Sequence, residues 1–246
     1  LGVIGAIVAG GFLLGGKDLV SSTSCPHIAR VTISGVISGD RRTLDMLKNV
    51  AASKASAVIV TVNSPGGTTT GSEALYDAIR VIAEKKPTAT VITGTAASGG
   101  YIAALGTDRI LARQTSLVGS IGVLFQFPNV SGLMNTVGVK LEEIKSSPLK
   151  ASPNGFEPTS PEARAALQRV VDDNYDWFKR LVRDRRKLND SELGVVSDGR
   201  VHSGRMAVTL RLIDGIGGEK EAIAWFESEK AVAKDLPVRD WRRSGE

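Results

Sequence analysis

Two glycine-bearing motifs carry the chemistry that this sequence can be asked to do. Asn63-Ser64-Pro65-Gly66-Gly67 follows the apolar run AVIVTV, and Ala96-Ala97-Ser98-Gly99-Gly100 follows ATVITG. In the first, Pro65 stiffens the turn, and the two glycines let backbone N–H groups point outward with no side chain in the way. In the second, a serine at a strand-to-helix turn presents its hydroxyl beside a gap left by glycines. The positive end of the following helix favours an oxyanion there. Either motif alone is an ordinary turn or a packed helix start. Their ordered pairing, each after a strand, is much more specific than either, and it makes Ser98 a candidate nucleophile with oxyanion donors beside it.

A serine nucleophile needs a base. The chain holds two histidines, His27 and His202, and none lies between Ser98 and His202. His27 falls in a polar stretch, and GRVHSGR around His202 reads as a turn entering a helix, so neither is a strong candidate. Lysine is the remaining choice, since burial can lower its pKa far enough for base work. Lys140, Lys145 and Lys150 lie near the end of the strand-and-helix region, and spacing alone does not choose among them. Cys25 is the only cysteine, which rules out an intrachain disulfide. With so few His and Cys residues, no zinc site is expected, and no cofactor. Net charge is +5, from 31 basic and 26 acidic residues. That surplus suits an anionic membrane surface without pointing to nucleic acid.

The elements that must position these residues can be read from periodicity. A strand is predicted over 28–37, a helix over 42–54, and a strand buried on both faces over 57–62. A helix over 72–86 stops at Pro87, a short strand follows, and an Ala-rich helix begins near Ser98. Shorter apolar runs recur at 109–112, 118–124 and 139–144. Strands alternating with helices argue for an α/β sheet of βαβ units. Residues 146–160 are a Ser- and Pro-rich loop. A long helix is predicted over 161–187 with Ser160 as its N-cap, and another over 219–228. The basic run Lys179 to Lys187 reads as a solvated or interface helix face.

Residues 1–16 carry no charge. As a helix they span roughly 24 Å, short of a ~30 Å hydrocarbon core. Because the chain opens on Leu1 rather than Met, 1–17 is expected to be the remainder of a transmembrane anchor, with a linker over 18–27.

NSPGG, TAASGGYIAA, TSLVGSIGV and DGRVHSGRMAVTLRLIDGIGG, in this order, resemble the signal peptide peptidase A (protease IV) family. The resemblance covers residues 28 to 228. It implies a βαβ spiral like that of the Clp protease and the crotonases, with a C-terminal helical portion, preceded by the transmembrane segment. A peptidase domain over 28–230 and a charged tail over 231–246 follow. By the same resemblance Ser98 is the nucleophile and Lys150, in KSSPLKAS, the general base, with Lys145 as runner-up. Ser120 would hydrogen-bond the lysine, and Gly67 and Gly99 would supply the oxyanion-hole amides, with Gly66 a close alternative to Gly67. Arg211 stands where the family usually has Gly. The function implied is cleavage of remnant signal peptides and other membrane-near peptides through an acyl-enzyme. The catalytic domain would be extracytoplasmic on a single-pass anchor and assembled into a ring or dome such as an octamer. Two rival readings are a crotonase-like acyl-CoA enzyme and a catalytically inactive membrane scaffold of the same fold.

Overall fold

The computed structural model describes residues 25–243 and 245. The expected anchor and most of the expected linker lie outside them. Among the described residues, no helix is long and apolar enough to cross a membrane.

The first part of the chain alternates as its periodicity predicts: β1 (His27–Ile37), α1 (Arg41–Ala52), β2 (Ala55–Gly67), α2 (Thr69–Ala83), β3 (Thr88–Ala97), α3 (Gly99–Leu105), β4 (Arg109–Ala112) and β5 (Leu117–Gly119). Then come α4 (Ser131–Thr136), α5 (Pro161–Arg186), α6 (Asp190–Val196), β6 (Val201–Ser203), α7 (Gly204–Thr209), β7 (Gly215–Ile216), α8 (Glu219–Glu229) and β8 (Val238–Trp241). One sheet runs in the order β6-β5-β3-β2-β1-β8, with β4 pairing both β3 and β7 off that path. Every pairing is parallel except β5 with β6. The first half of β3 pairs β4 and the second half pairs β5, so the sheet forks beside the end of β3.

Parallel sheets hide both faces, and the strand sequences follow that rule. Val58, Val60 and Val62 point to the side covered by α1, α2 and α3, while Ile28, Ile59 and Val91 meet Phe226 and Trp225 of α8 on the other. Ser160 caps its helix as the sequence predicts, and Asp40 and Thr68 do the same for α1 and α2, each accepting a backbone N–H from the first turn.

Four expectations change. The turn expected at NSPGG continues β2 to its end, because Ile37 and Val36 of β1 pair Gly67 and Gly66 across it. The run 139–144 forms no strand; Val139, Leu141 and Ile144 are exposed, and no pairing of the sheet described above includes them. Within the expected charged tail, β8 pairs β1 through Ile28–Val238 to Val31–Trp241, and Arg30 is held there by Asp240 at 2.6 Å. His202, read as part of a turn, sits in a strand.

Two arginines of the basic run at the end of α5 are used inside the molecule. Arg185 donates to the carbonyls of Leu105 and Thr107 at 2.8 and 2.9 Å, closing the C-terminal end of α3. Arg186 reaches the Arg211 carbonyl and Asp214. Arg211 itself adopts φ 60°, the left-handed conformation that explains why glycine suits this turn.

Candidate active site

β2 and β3 end side by side, and their register breaks just before the site. Val62 pairs Ile92, but Ser64 pairs Ala96, so β3 carries extra residues across the break. Asn63 bridges it by accepting the Thr95 N–H at 3.1 Å through Oδ1. This irregularity brings the two glycine motifs into contact. A Cβ added to Gly66 would stand 2.9 Å from Ser98 Cβ and 2.8 Å from the Gly99 nitrogen, and one on Gly99 would stand 3.2 Å from the Gly67 nitrogen.

Ser98 is the N-cap of α3 with φ 51° and ψ −121°, a backbone region that non-glycine residues avoid. Its own side chain makes no cap hydrogen bond. The conformation is held from outside: the Ser98 N–H donates to the Gly119 carbonyl at 2.8 Å, and the α3 amides of Tyr101 and Ile102 take the Ser98 carbonyl. Strain maintained in this way is typical of functional positions. Ser120 follows Gly119 at φ 52° and donates its N–H to the Arg200 carbonyl at 2.9 Å.

Ser98, Gly67, Gly99 and Ser120 line one cleft of about 480 Å³. Its apolar side comes from Ile102, Leu124 and the α5 pair Trp177 and Phe178. Gly66 lies behind Ser98 rather than on the cleft, and its N–H already donates to Ser64 Oγ at 3.1 Å. Of the two candidate donors on the first motif, Gly67 is therefore the one that lines the cleft with Ser98. Ser72 of α2 also lines the cleft beside Gly99, its Oγ donating back to the Thr68 carbonyl of its own helix at 2.8 Å.

The lysines are elsewhere. Among the described residues, none lines the Ser98 cleft. Lys145 is clamped by Glu143 and, at 3.3 Å, by Glu157. The bond to Glu143 foremost, with Glu157 behind it, holds its ammonium above the ordinary lysine range, the opposite of what a base requires. Lys150 is exposed in a turn where its N–H donates to the Ser147 carbonyl, and Lys140 is exposed as well. Residues 124–156, which carry all three, also expose Leu124, Phe125, Leu133, Ile144, Leu149 and Phe156.

The sequence reading missed three contributors: Ser72, the α5 pair Trp177 and Phe178, and Asn63 as a bridge. Trp177 and Phe178 do carry a signal, being adjacent aromatics on an amphipathic helix, but nothing local says which cleft they face.

Close approach makes the end of β2 intolerant. A Cβ on Gly67 would fall 1.8 Å from the Ile37 carbonyl oxygen, a backbone atom that cannot swing away. Gly67→Ala is expected to cost about 3 kcal/mol or more, or to abolish folding. Urea unfolding against Gly122→Ala, whose Cβ would meet nothing nearer than 3.5 Å, measures it.

Comparison with known proteins gives a family and a fold. A family model for peptidase family S49 matches residues 80–233, and one for Clp protease matches residues 41–117. A Synechocystis sp. protein named as a protease is 35% identical over 200 residues, covering 80% of this chain and 72% of its own. A signal peptide peptidase SppA of Enterococcus faecium is 30% identical, over 92% of this chain and 70% of its own. Protease 4 of Salmonella typhi is 28% identical over 91% of this chain, which spans 34% of that longer protein. Among solved structures, a point mutant of the 1510-N membrane-bound stomatin-specific protease superposes with TM-score 0.57 at 14% identity, covering 89% of this chain and 99% of that one. A point mutant of ClpP1 from Listeria monocytogenes does so with TM-score 0.53 at 14% identity, covering 85% and 99%.

Proposed function

The chain belongs to peptidase family S49, and from that premise we propose that it is a membrane-bound serine endopeptidase that cleaves remnant signal peptides and other membrane-near peptides. The observation that carries the reading is Ser98, strained at the end of β3 and facing a cleft with Gly67 and Gly99 beside it. In the proposed reaction Ser98 Oγ attacks the scissile carbonyl and the oxyanion rests on the Gly67 and Gly99 amides. Lys150 takes the serine proton and returns it to the leaving amine. Water then hydrolyses the acyl-enzyme through the same lysine, with Ser120 orienting it. Apolar side chains of an extended peptide would lie against Ile102, Leu124 and Trp177.

Lys150 reaches Ser98 in this proposal through packing of residues 121–160 over the cleft, and the exposed apolar side chains along that segment support assembly with further copies as the cause. The subunits would form a closed ring or dome, with an anchor holding the catalytic domain at the extracytoplasmic surface.

The test is to treat the full chain in detergent with a fluorophosphonate and identify the modified residue by peptide mapping, alongside turnover of a fluorogenic peptide. Labelling at Ser98 with peptide turnover is the expected result. Thioesterase activity on acyl-CoA without peptide cleavage would replace this reading with the crotonase-like one, and an unlabelled, inert protein would favour a scaffold.

A further inference from the structure

His202 is a buried titratable group that the reaction above does not use. It lies in β6 directly opposite Val118 of β5 and is 4% exposed. Among the described residues, neither of its ring nitrogens has a hydrogen-bond partner. A buried imidazole normally satisfies at least one nitrogen, and a phenyl ring would fill the same space without burying two polar atoms. The ring rests against the corner that shapes the site: its Cδ2 is 3.3 Å from where a Cβ on Gly119 would stand. Gly119 is the acceptor for the Ser98 N–H, and Ser120 is the next residue.

We propose that His202 is a positioning residue for the Ser98 site, its neutral ring supporting the Gly119–Ser120 corner and its protonation unseating β5 from β6. The inference rests on the assignment of Ser98 made above. The groups facing the ring leave a proton no partner. β5 brings Leu117, Val118 and Gly119, none titratable. From α7 comes Arg205, which is exposed and reaches Gln114. From the turn before β6 come Asp198 and Arg200, already paired with each other at 2.6 Å. An imidazolium here would be a buried cation without a free counter-ion. Burial first of all holds the His202 pKa below the ordinary histidine value, with Asp198 opposing and Arg200 adding to the effect.

The sign follows from linkage. Unfolded, the imidazole titrates near 6.5, so below that pH the unfolded or opened chain binds more protons than the closed one. The contribution to stability is complete above about 6.5 and is lost as pH falls toward the lower native value. The first structure to yield is the short β5–β6 pairing, and with it the Gly119 carbonyl that fixes the Ser98 amide.

The experiment compares wild type with His202→Phe from pH 7.5 to 5. With lysine as base, log kcat/KM falls by one unit per pH unit on the acid side. As pH falls below the unfolded histidine value of about 6.5, the wild type is expected to steepen toward two, an added loss of up to roughly tenfold per pH unit, while His202→Phe keeps a slope of one. Hydrogen exchange of the Ser98 and Ser120 amides, corrected for intrinsic rates, is expected to lose protection over the same range in wild type only. That second measurement needs no catalysis, so it separates this proposal from the peptidase reading itself. If Phe does not fold, His202→Gln provides the uncharged variant. A slope of two, or acid loss of amide protection, that persists in the uncharged variant overturns the role of His202, as does a wild type in which neither appears.

Discussion

Ser98→Gly is expected to be catalytically dead and more stable than wild type, whereas Ser98→Ala is expected to be dead with unchanged stability. The difference comes from the backbone. At φ 51° and ψ −121° a side chain at this position costs on the order of 1–3 kcal/mol, and alanine bears that cost as serine does. Glycine removes it at an entropic cost of about 0.5–1 kcal/mol, leaving a net gain of about 1 kcal/mol. In a chain of this size that is roughly 2–4 °C in Tm. Neither variant has a hydroxyl to attack the carbonyl, so peptide turnover should fall by at least ~10⁴-fold in both. Differential scanning fluorimetry and fluorogenic peptide assays on the three proteins check it. Near-normal turnover by Ser98→Ala would remove Ser98 from the mechanism. Equal melting temperatures for all three would mean that the turn is not strained.

The second large effect separates the two lysines. Lys150→Met is expected to lower kcat/KM by at least ~10³-fold while Ser98 stays in place. Lys145→Met should stay within a few-fold of wild type, because Lys145 is held as an ammonium by Glu143 and Glu157 and makes a poor proton acceptor. Lys150 has no ion pair among the described residues, and its exposed turn belongs to a segment rich in uncovered apolar side chains. The measurement is kcat/KM for a fluorogenic peptide in both variants at pH 8 to 9, with sedimentation to confirm that assembly is unchanged. If Lys145→Met is the dead variant, the base moves to Lys145 and its carboxylate clamp must open during turnover. Full activity in both would end the dyad mechanism.

What could be read from the sequence was local. Ser98 and the two glycine motifs declare themselves because strand, turn and helix signals sit within a few residues of one another. The strands over AVIVTV and ATVITG follow for the same reason. The long helix starts at its Ser160 cap, where a serine precedes a proline at the first helical position. What failed to show depends on distant partners. VRDW carries no strand pattern, yet it pairs with β1 because Asp240 meets Arg30 across the ladder. The 139–144 run carries apolar residues enough for a strand but takes part in no pairing of the sheet. Positive φ at Ser98 and Ser120 is imposed by the Gly119 and Arg200 carbonyls, which no spacing rule foresees. A choice among Lys140, Lys145 and Lys150 was not legible either, since all three sit in a stretch of irregular backbone and none of them lines the Ser98 cleft among the described residues.

The place of β1 in the sheet has a mechanical consequence. It lies between β2 and β8 and runs parallel to both, with ten residue pairs on one side and four on the other. A pulling force applied to the chain just before β1 would act first on the opening residues of this strand. A force directed along the strand axis loads both ladders in shear, so many hydrogen bonds must break together rather than one at a time. A pull applied at the start of β1 would thus be resisted by both of its ladders at once. Removing β8 would leave one flank of β1 unpaired, so a chain ending at residue 237 should give way under a lower pulling force in an optical trap than one ending at 246.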